Sequence, residues 1–180
     1  LPMAMLNVNK KGITLNLRTS KGKALLKRLI ADADILVENF TPGVMDRLGL
    51  GWEILHQINP KLVYGSGTGY GLSGPDKDNQ AMDVTIQASS GAMSVTGNPD
   101  GPPLRSGSSF IDFLSGVHLY AGIITALFER TRTGLGRLVE VSMQETAYPT
   151  MASNLGLVYR SKGKVPQRVG NRHGGLALAP

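Results

Sequence analysis

Residues 13–37 change hydrophobic period twice, and this stretch restricts the fold more than any other. Ile13-Thr14-Leu15-Asn16-Leu17 alternates apolar with polar, the period-two pattern of a strand. Leu25, Leu26, Leu29, Ile30 and Ala33 then form a helical stripe, with Lys21, Lys23, Lys27 and Arg28 outside it and Ser20 placed to cap the start. Ile35-Leu36-Val37 follows as a short apolar run, the pattern of a buried strand. Strand, helix and strand in such close succession predict a βαβ unit, whose crossover lays its two strands parallel.

The remaining chain keeps that alternation. Residues 42–57 predict one or two short helices broken at Gly49 and Gly51, and Leu62-Val63-Tyr64 predicts a third strand. Residues 65–74 are glycine-rich and 75–80 form a polar loop. Residues 84–93 read as an apolar helical stretch, and Asn98-Pro99-Asp100-Gly101-Pro102-Pro103 as a turn-forming linker. Residues 137–142 then predict a strand and 144–158 a helix. The expected class is α/β, with an open, mainly parallel, Rossmann-like sheet.

At 180 residues and 41% hydrophobic, the chain suits one domain or part of a larger one. Leu1 at one end and the apolar Leu176-Ala177-Leu178-Ala179-Pro180 at the other predict a single partial domain, 1–180, from inside a longer protein. No apolar run approaches the roughly 18 residues of a membrane span, and the first five residues do not form a secretory signal, so no membrane partner is expected. The absence of cysteine excludes disulfides and thiolate chemistry and suits a cytoplasmic protein. A net charge of +6 suits an anionic ligand.

Asp112 is the only acid between Asp100 and Glu129, and Phe110, Ile111, Phe113 and Leu114 surround it. Downstream, Val117, Tyr120, Ala121, Ile124, Leu127 and Phe128 recur with helical period, predicting a core-facing stripe in which Tyr120 finds a partner for its hydroxyl. Asp112 therefore lies at a helix entrance, where unpaired N–H groups favour negative charge. Two readings stand. It is a structural acid at the helix start, or a carboxylate nucleophile or acid–base group held there.

Other motifs carry less. Gly69-Tyr70-Gly71-Leu72-Ser73-Gly74 matches G-x-G-x-x-G after a strand, but Pro75-Asp76-Lys77-Asp78-Asn79 follows where a dinucleotide site needs a helix, so a turn-rich loop is expected. His56, His118 and His173 lack metal-ligand spacing, and no metal site is predicted. No G-x-S-x-G elbow is present. Scattered basic residues and 6% aromatics do not build a nucleic-acid surface. Val37-Glu38-Asn39-Phe40-Thr41-Pro42-Gly43 places polar groups and an aromatic at the carboxyl end of a strand, where open α/β sheets bind ligands, with Arg47 one to two turns later. Its plainer reading makes Asn39 a helix cap and Phe40 core.

In order, Asn9-Lys10-Lys11-Gly12-Ile13-Thr14-Leu15-Asn16-Leu17, Ala33-Asp34-Ile35-Leu36-Val37-Glu38-Asn39-Phe40 with Pro42-Gly43, Asn59-Pro60, Gly69-Tyr70-Gly71, Ser90-Gly91 and Gly101-Pro102-Pro103 run through the chain. Glu129-Arg130-Thr131-Arg132-Thr133-Gly134-Leu135-Gly136 and Gly170-Asn171-Arg172-His173 complete the set. Together they resemble the family III CoA-transferases, the group of formyl-CoA transferase and carnitine CoA-transferase. The resemblance implies that Asp112 is the catalytic nucleophile, forming a mixed anhydride and then an aspartyl-CoA thioester. It implies that Leu15, Asn16, Leu17, Arg18, Asn39, Phe40, Thr41, Arg47, Gln80, Ala81, Met82 and Asp83 line a CoA site. It further implies an interlocked homodimer, acyl-CoA and a carboxylic acid acceptor as partners, coenzyme A as carrier, and no other cofactor. The α-methylacyl-CoA racemases resemble the chain as well, but use a histidine where this sequence has Met82 before Asp83. A non-catalytic basic binding module is the rival of another class.

Overall fold

The computed structural model describes residues 2–172; His173 and the apolar 176–180 stretch lie outside them. Among the described residues, three strands form one parallel sheet in the order β1 (Ile35–Glu38), β2 (Val63–Thr68), β3 (Leu138–Ser142). Ile35 pairs with Val63 and Tyr64 with Leu138. The helices are α1 (Pro2–Leu6), α2 (Ser20–Ala31), α3 (Val44–Arg47), α4 (Trp52–Ile58), α5 (Asp83–Ser89), α6 (Phe110–Thr133), α7 (Met143–Thr150) and α8 (Ala152–Arg160).

Alternation along the strands decides what covers each face. Leu36, Tyr64 and Leu138 point to one side, into a core with Ile30 and Leu26 of α2, Met45 of α3, Leu55 and Trp52 of α4, and Leu50 and Leu62. Val63, Val139 and Val141 point to the other side, against Leu119, Ile123 and Ala126 of α6. A buried Leu or Ile of this kind stabilises the fold by about 1.5–3 kcal/mol. A third cluster joins Ile86 of α5, Ile111 of α6 and Ala147 of α7, so the start of α6 is wedged between two other helices.

Polar groups complete the frame. Thr19, one residue before the expected cap, accepts the Gly22 N–H at 3.1 Å and starts α2. At the other end of α2 the buried Asn59 side chain donates to the carbonyls of Ile30 and Ala33 at 3.0 and 2.8 Å, while its oxygen accepts the Lys61 N–H. One amide thus closes the last turn of α2 and fixes the approach to β2.

Four expectations need correction. Residues 13–17 run without strand pairing: Leu15 and Leu17 are half-buried, and Leu17 packs on the first core, but no neighbour supplies a ladder. Period two recorded one-sided burial, which an extended segment satisfies without joining a sheet. Most of the stripe expected to face the core from α6 points outward instead, with Val117, Tyr120, Ile124 and Phe128 at 59%, 66%, 45% and 69% exposure, while Leu127 packs against the second core. This helix is apolar on both sides, so periodicity alone does not choose between the 117/120/124/128 face and the 119/123/126 face that meets the sheet. Among the described residues Tyr120 makes no hydrogen bond. For the same reason α6 has the length and composition of a membrane span, contrary to expectation. Finally, the helix expected over 144–158 divides at Met151 into α7 and α8, beside Pro149, whose ring cannot continue the hydrogen-bond ladder.

Candidate functional site

A cavity of about 980 Å³ opens at the carboxyl ends of all three strands, lined by Val37 and Glu38 of β1, Gly67 and Thr68 of β2, and Val141 of β3. Parallel α/β sheets leave a crevice at this edge because the crossovers carry their helices away from it. Residues 70–82 form a loop without a helix, so the G-x-G-x-x-G string does not open one, and only the 79–82 end of this loop lines the cavity. Gly69 makes this possible: a Cβ there would sit 2.1 Å from the Ala81 methyl, and its absence lets 80–83 fold against the end of β2.

Asp112 stands on the first turn of α6, at the cavity wall. Among the described residues its carboxylate accepts no hydrogen bond, although Asp83 takes its backbone N–H at 3.3 Å. Partial burial raises its pKa, and the neighbouring charge of Asp83 raises it further. Sequence placed Asp112 at the helix entrance; the structure puts it inside the first turn, because α6 already begins at Phe110. A carboxylate that faces a cavity with no partner, and is displaced toward its neutral form, is also a better nucleophile than a solvated one.

The expected ligand residues divide among three adjoining recesses. Asn39, Phe40, Thr41, Gln80, Ala81, Met82 and Asp83 share the Asp112 cavity. Arg47 lies beside it, in a cleft of about 510 Å³ that Phe40, Thr41, Trp52, Tyr64, Lys77 and Asp78 also line. Leu15, Asn16, Leu17 and Arg18 line a third recess, of about 690 Å³, with Val44 and Leu48. Phe40 borders all three. It is 47% exposed and is not core, and the N-cap position of α3 belongs to Gly43 and not Asn39. Both plainer readings of that segment therefore give way.

Sequence reasoning missed several groups. Glu38 fixes the mouth of β1 by accepting the Ser66 hydroxyl at 2.5 Å and the Phe40 N–H at 2.8 Å. Among the described residues Arg105 is the one lysine or arginine bordering the Asp112 cavity, and the linker composition around it gave no sign of this. Tyr64, 3% exposed, is held edge-on to Trp52, and burial ahead of Glu38 and Asp46 raises its pKa. His56 lies against Trp52, and His118 donates to the Leu114 carbonyl at 2.8 Å. The described residues hold no group of three or more His, Cys, Asp or Glu placed to bind a metal.

A parallel α/β sheet with an unpartnered carboxylate at its carboxyl-edge cavity defines the class of protein. Within that class the chain belongs to CoA-transferase family III, whose family model matches residues 1–180. It is 43% identical over 174 residues to the acetyl-CoA:oxalate CoA-transferase of Acetobacter aceti, covering 96% of this chain and 44% of that protein. It is 48% identical over 144 residues to the formyl-CoA:oxalate CoA-transferase of Streptomyces avermitilis, covering 80% of this chain and 35% of the relative. A solved structure, a CAIB/BAIF family protein from Brucella suis, superimposes with TM-score 0.87 at 38% identity, over 94% of this chain and 44% of that one. The chain thus spans less than half the length of these relatives.

Proposed function

We propose that the whole protein transfers coenzyme A from an acyl-CoA thioester to an acceptor carboxylic acid, with Asp112 as the covalent carrier. The observation that carries this reading is the unpartnered Asp112 carboxylate at the wall of the strand-end cavity. Family membership supports it. Asp112 attacks the donor thioester carbonyl; the carbon–sulfur bond breaks, CoA thiolate leaves and a mixed anhydride remains. The thiolate then attacks the aspartyl carbonyl, releasing the donor acid and leaving an aspartyl-CoA thioester. The acceptor carboxylate displaces CoA to form a second anhydride, and thiolate attack on its acceptor carbonyl yields the new acyl-CoA and regenerates Asp112. No net proton is consumed, and each step replaces one difficult transfer with an easier acyl exchange.

Leu15 to Arg18, Asn39 to Thr41, Arg47 and Gln80 to Met82 hold the CoA in this reading, with Asp83 beside them but engaged inside the protein, and the guanidinium of Arg47 offers a charge-assisted contact to a phosphate. The oxalate named in both relatives makes a small dicarboxylate the first acceptor to test. The competing reaction is α-proton exchange on a 2-methylacyl-CoA. Met82, at the position where the racemases carry their histidine, is a thioether and does not exchange a proton near neutral pH. With acetyl-CoA and oxalate the whole protein is expected to form oxalyl-CoA. With 2-methylacyl-CoA in heavy water and no acceptor, it is expected to leave the α-position unlabelled. Rapid α-deuteration without CoA transfer would replace this reading with the racemase one.

A further inference from the structure

Asp83 and Gln87 lie one turn apart on α5, 8% and 1% exposed, and together they organise the chain on both sides of the α6 entrance. The Gln87 oxygen accepts the Ser106 N–H at 2.7 Å, and its amide donates to Asp83 Oδ1 at 2.5 Å and to the Ser108 carbonyl at 3.5 Å. Asp83 Oδ2 accepts the N–H groups of Ile111 at 2.9 Å and Asp112 at 3.3 Å. Ser109, at the N-cap position, makes no side-chain cap bond. An acid from another helix therefore does what a local cap would do.

We propose that Asp83 is a positioning residue, which fixes the first turn of α6 so that the Asp112 side chain faces the cavity and holds a like charge behind it. This rests on the CoA-transfer reading of the same site. All three partners of Asp83 are N–H donors, the arrangement that an ionised carboxylate takes. Both of its oxygens are engaged inside the protein, so its side chain acts through Asp112 and does not serve as a CoA contact. The charged groups lining the cavity are Asp83 from α5, Glu38 from β1, Arg105 from the segment before α6, and Asp112 itself; β2, β3 and α7 add only uncharged groups. Glu38 is engaged with Ser66 and Phe40. Asp83 is the charge that raises the pKa of Asp112, after burial.

The test uses the whole protein with acetyl-CoA and oxalate, reading kcat, KM for acetyl-CoA and the acid limb of kcat/KM. Asp83→Asn removes the repulsion and disturbs the first turn. We expect kcat to fall about 10- to 100-fold from misaligned attack, with KM unchanged and the acid limb moved to lower pH. A raised KM with kcat and the acid limb in place would make Asp83 a CoA contact and overturn the proposal. Should circular dichroism find Asp83→Asn unfolded, Gln87→Met serves in its place. It strips one donor from Asp83, so its charge is less compensated and the acid limb should move to higher pH; an unmoved limb overturns the proposal. Failure of the transfer reading is separate: the unmodified protein would then not form oxalyl-CoA at all.

Discussion

Replacing Asp112 with alanine is expected to lower CoA transfer by about 10³-fold or more, the scale seen when a covalent nucleophile is removed. The fold should tolerate the change well. The raised pKa of Asp112 means that the folded protein favours the neutral form. Its contribution to stability is then present at low pH and lost as pH rises through the folded value. At neutral pH the charged carboxylate opposes folding, so Asp112→Ala should keep or slightly raise the melting temperature while activity disappears. Falling activity together with a falling melting temperature would point to the structural acid considered from sequence. In the unmodified protein, kcat/KM should decline on the acid side at a pH above the ordinary aspartate value, because attack needs the ionised form.

Replacing Gly136 with alanine should act through the fold alone. Gly136 links α6 to β3, and its N–H donates to the Pro60 carbonyl at 2.8 Å. A Cβ there would lie 1.9 Å from the Leu62 carbonyl oxygen and 2.6 Å from that of Lys61, both backbone atoms at the start of β2. Neither can rotate away as a side-chain tip would. One strand would have to shift, and the Tyr64–Leu138 pairing lies a few residues further on. A loss of about 3 kcal/mol, the upper end for overpacked sites, is expected in a denaturant titration. A loss below 1 kcal/mol would mean that the β2–β3 approach is looser than described.

Sequence patterns carried the class because each strand opens on a short apolar run, and because α2 has one charged and one apolar side; the glycine-rich half of β2, Gly65 to Thr68, gave no strand signal. Residues 39–41 could be placed at the ligand edge from their position after β1 alone, since parallel sheets put their crevices there. Asp112 could be placed at a helix entrance because it interrupts an otherwise uncharged stretch. The rest depends on contacts distant in sequence. Asp83 reaches Ile111 and Asp112 across 28 and 29 residues, and no local pattern encodes that pairing. Nor does the sequence say which apolar face of α6 meets the sheet, since Leu119, Ile123 and Ala126 follow the same helical spacing as the face left exposed. The Asp83 bonds also narrow the chemistry. The N–H groups of Ile111 and Asp112 are already taken, so the donors that stabilise a developing oxyanion must come from elsewhere around the cavity.

The most direct measurement is of the covalent bond itself. The whole protein, incubated with acetyl-CoA and quenched with hydroxylamine or borohydride, is digested and its peptides are weighed by mass spectrometry. One modified peptide is expected, with the change on Asp112, and no modification of the Asp112→Ala variant. Steady turnover with Asp112 unmodified, or with the label on another residue, would contradict this expectation.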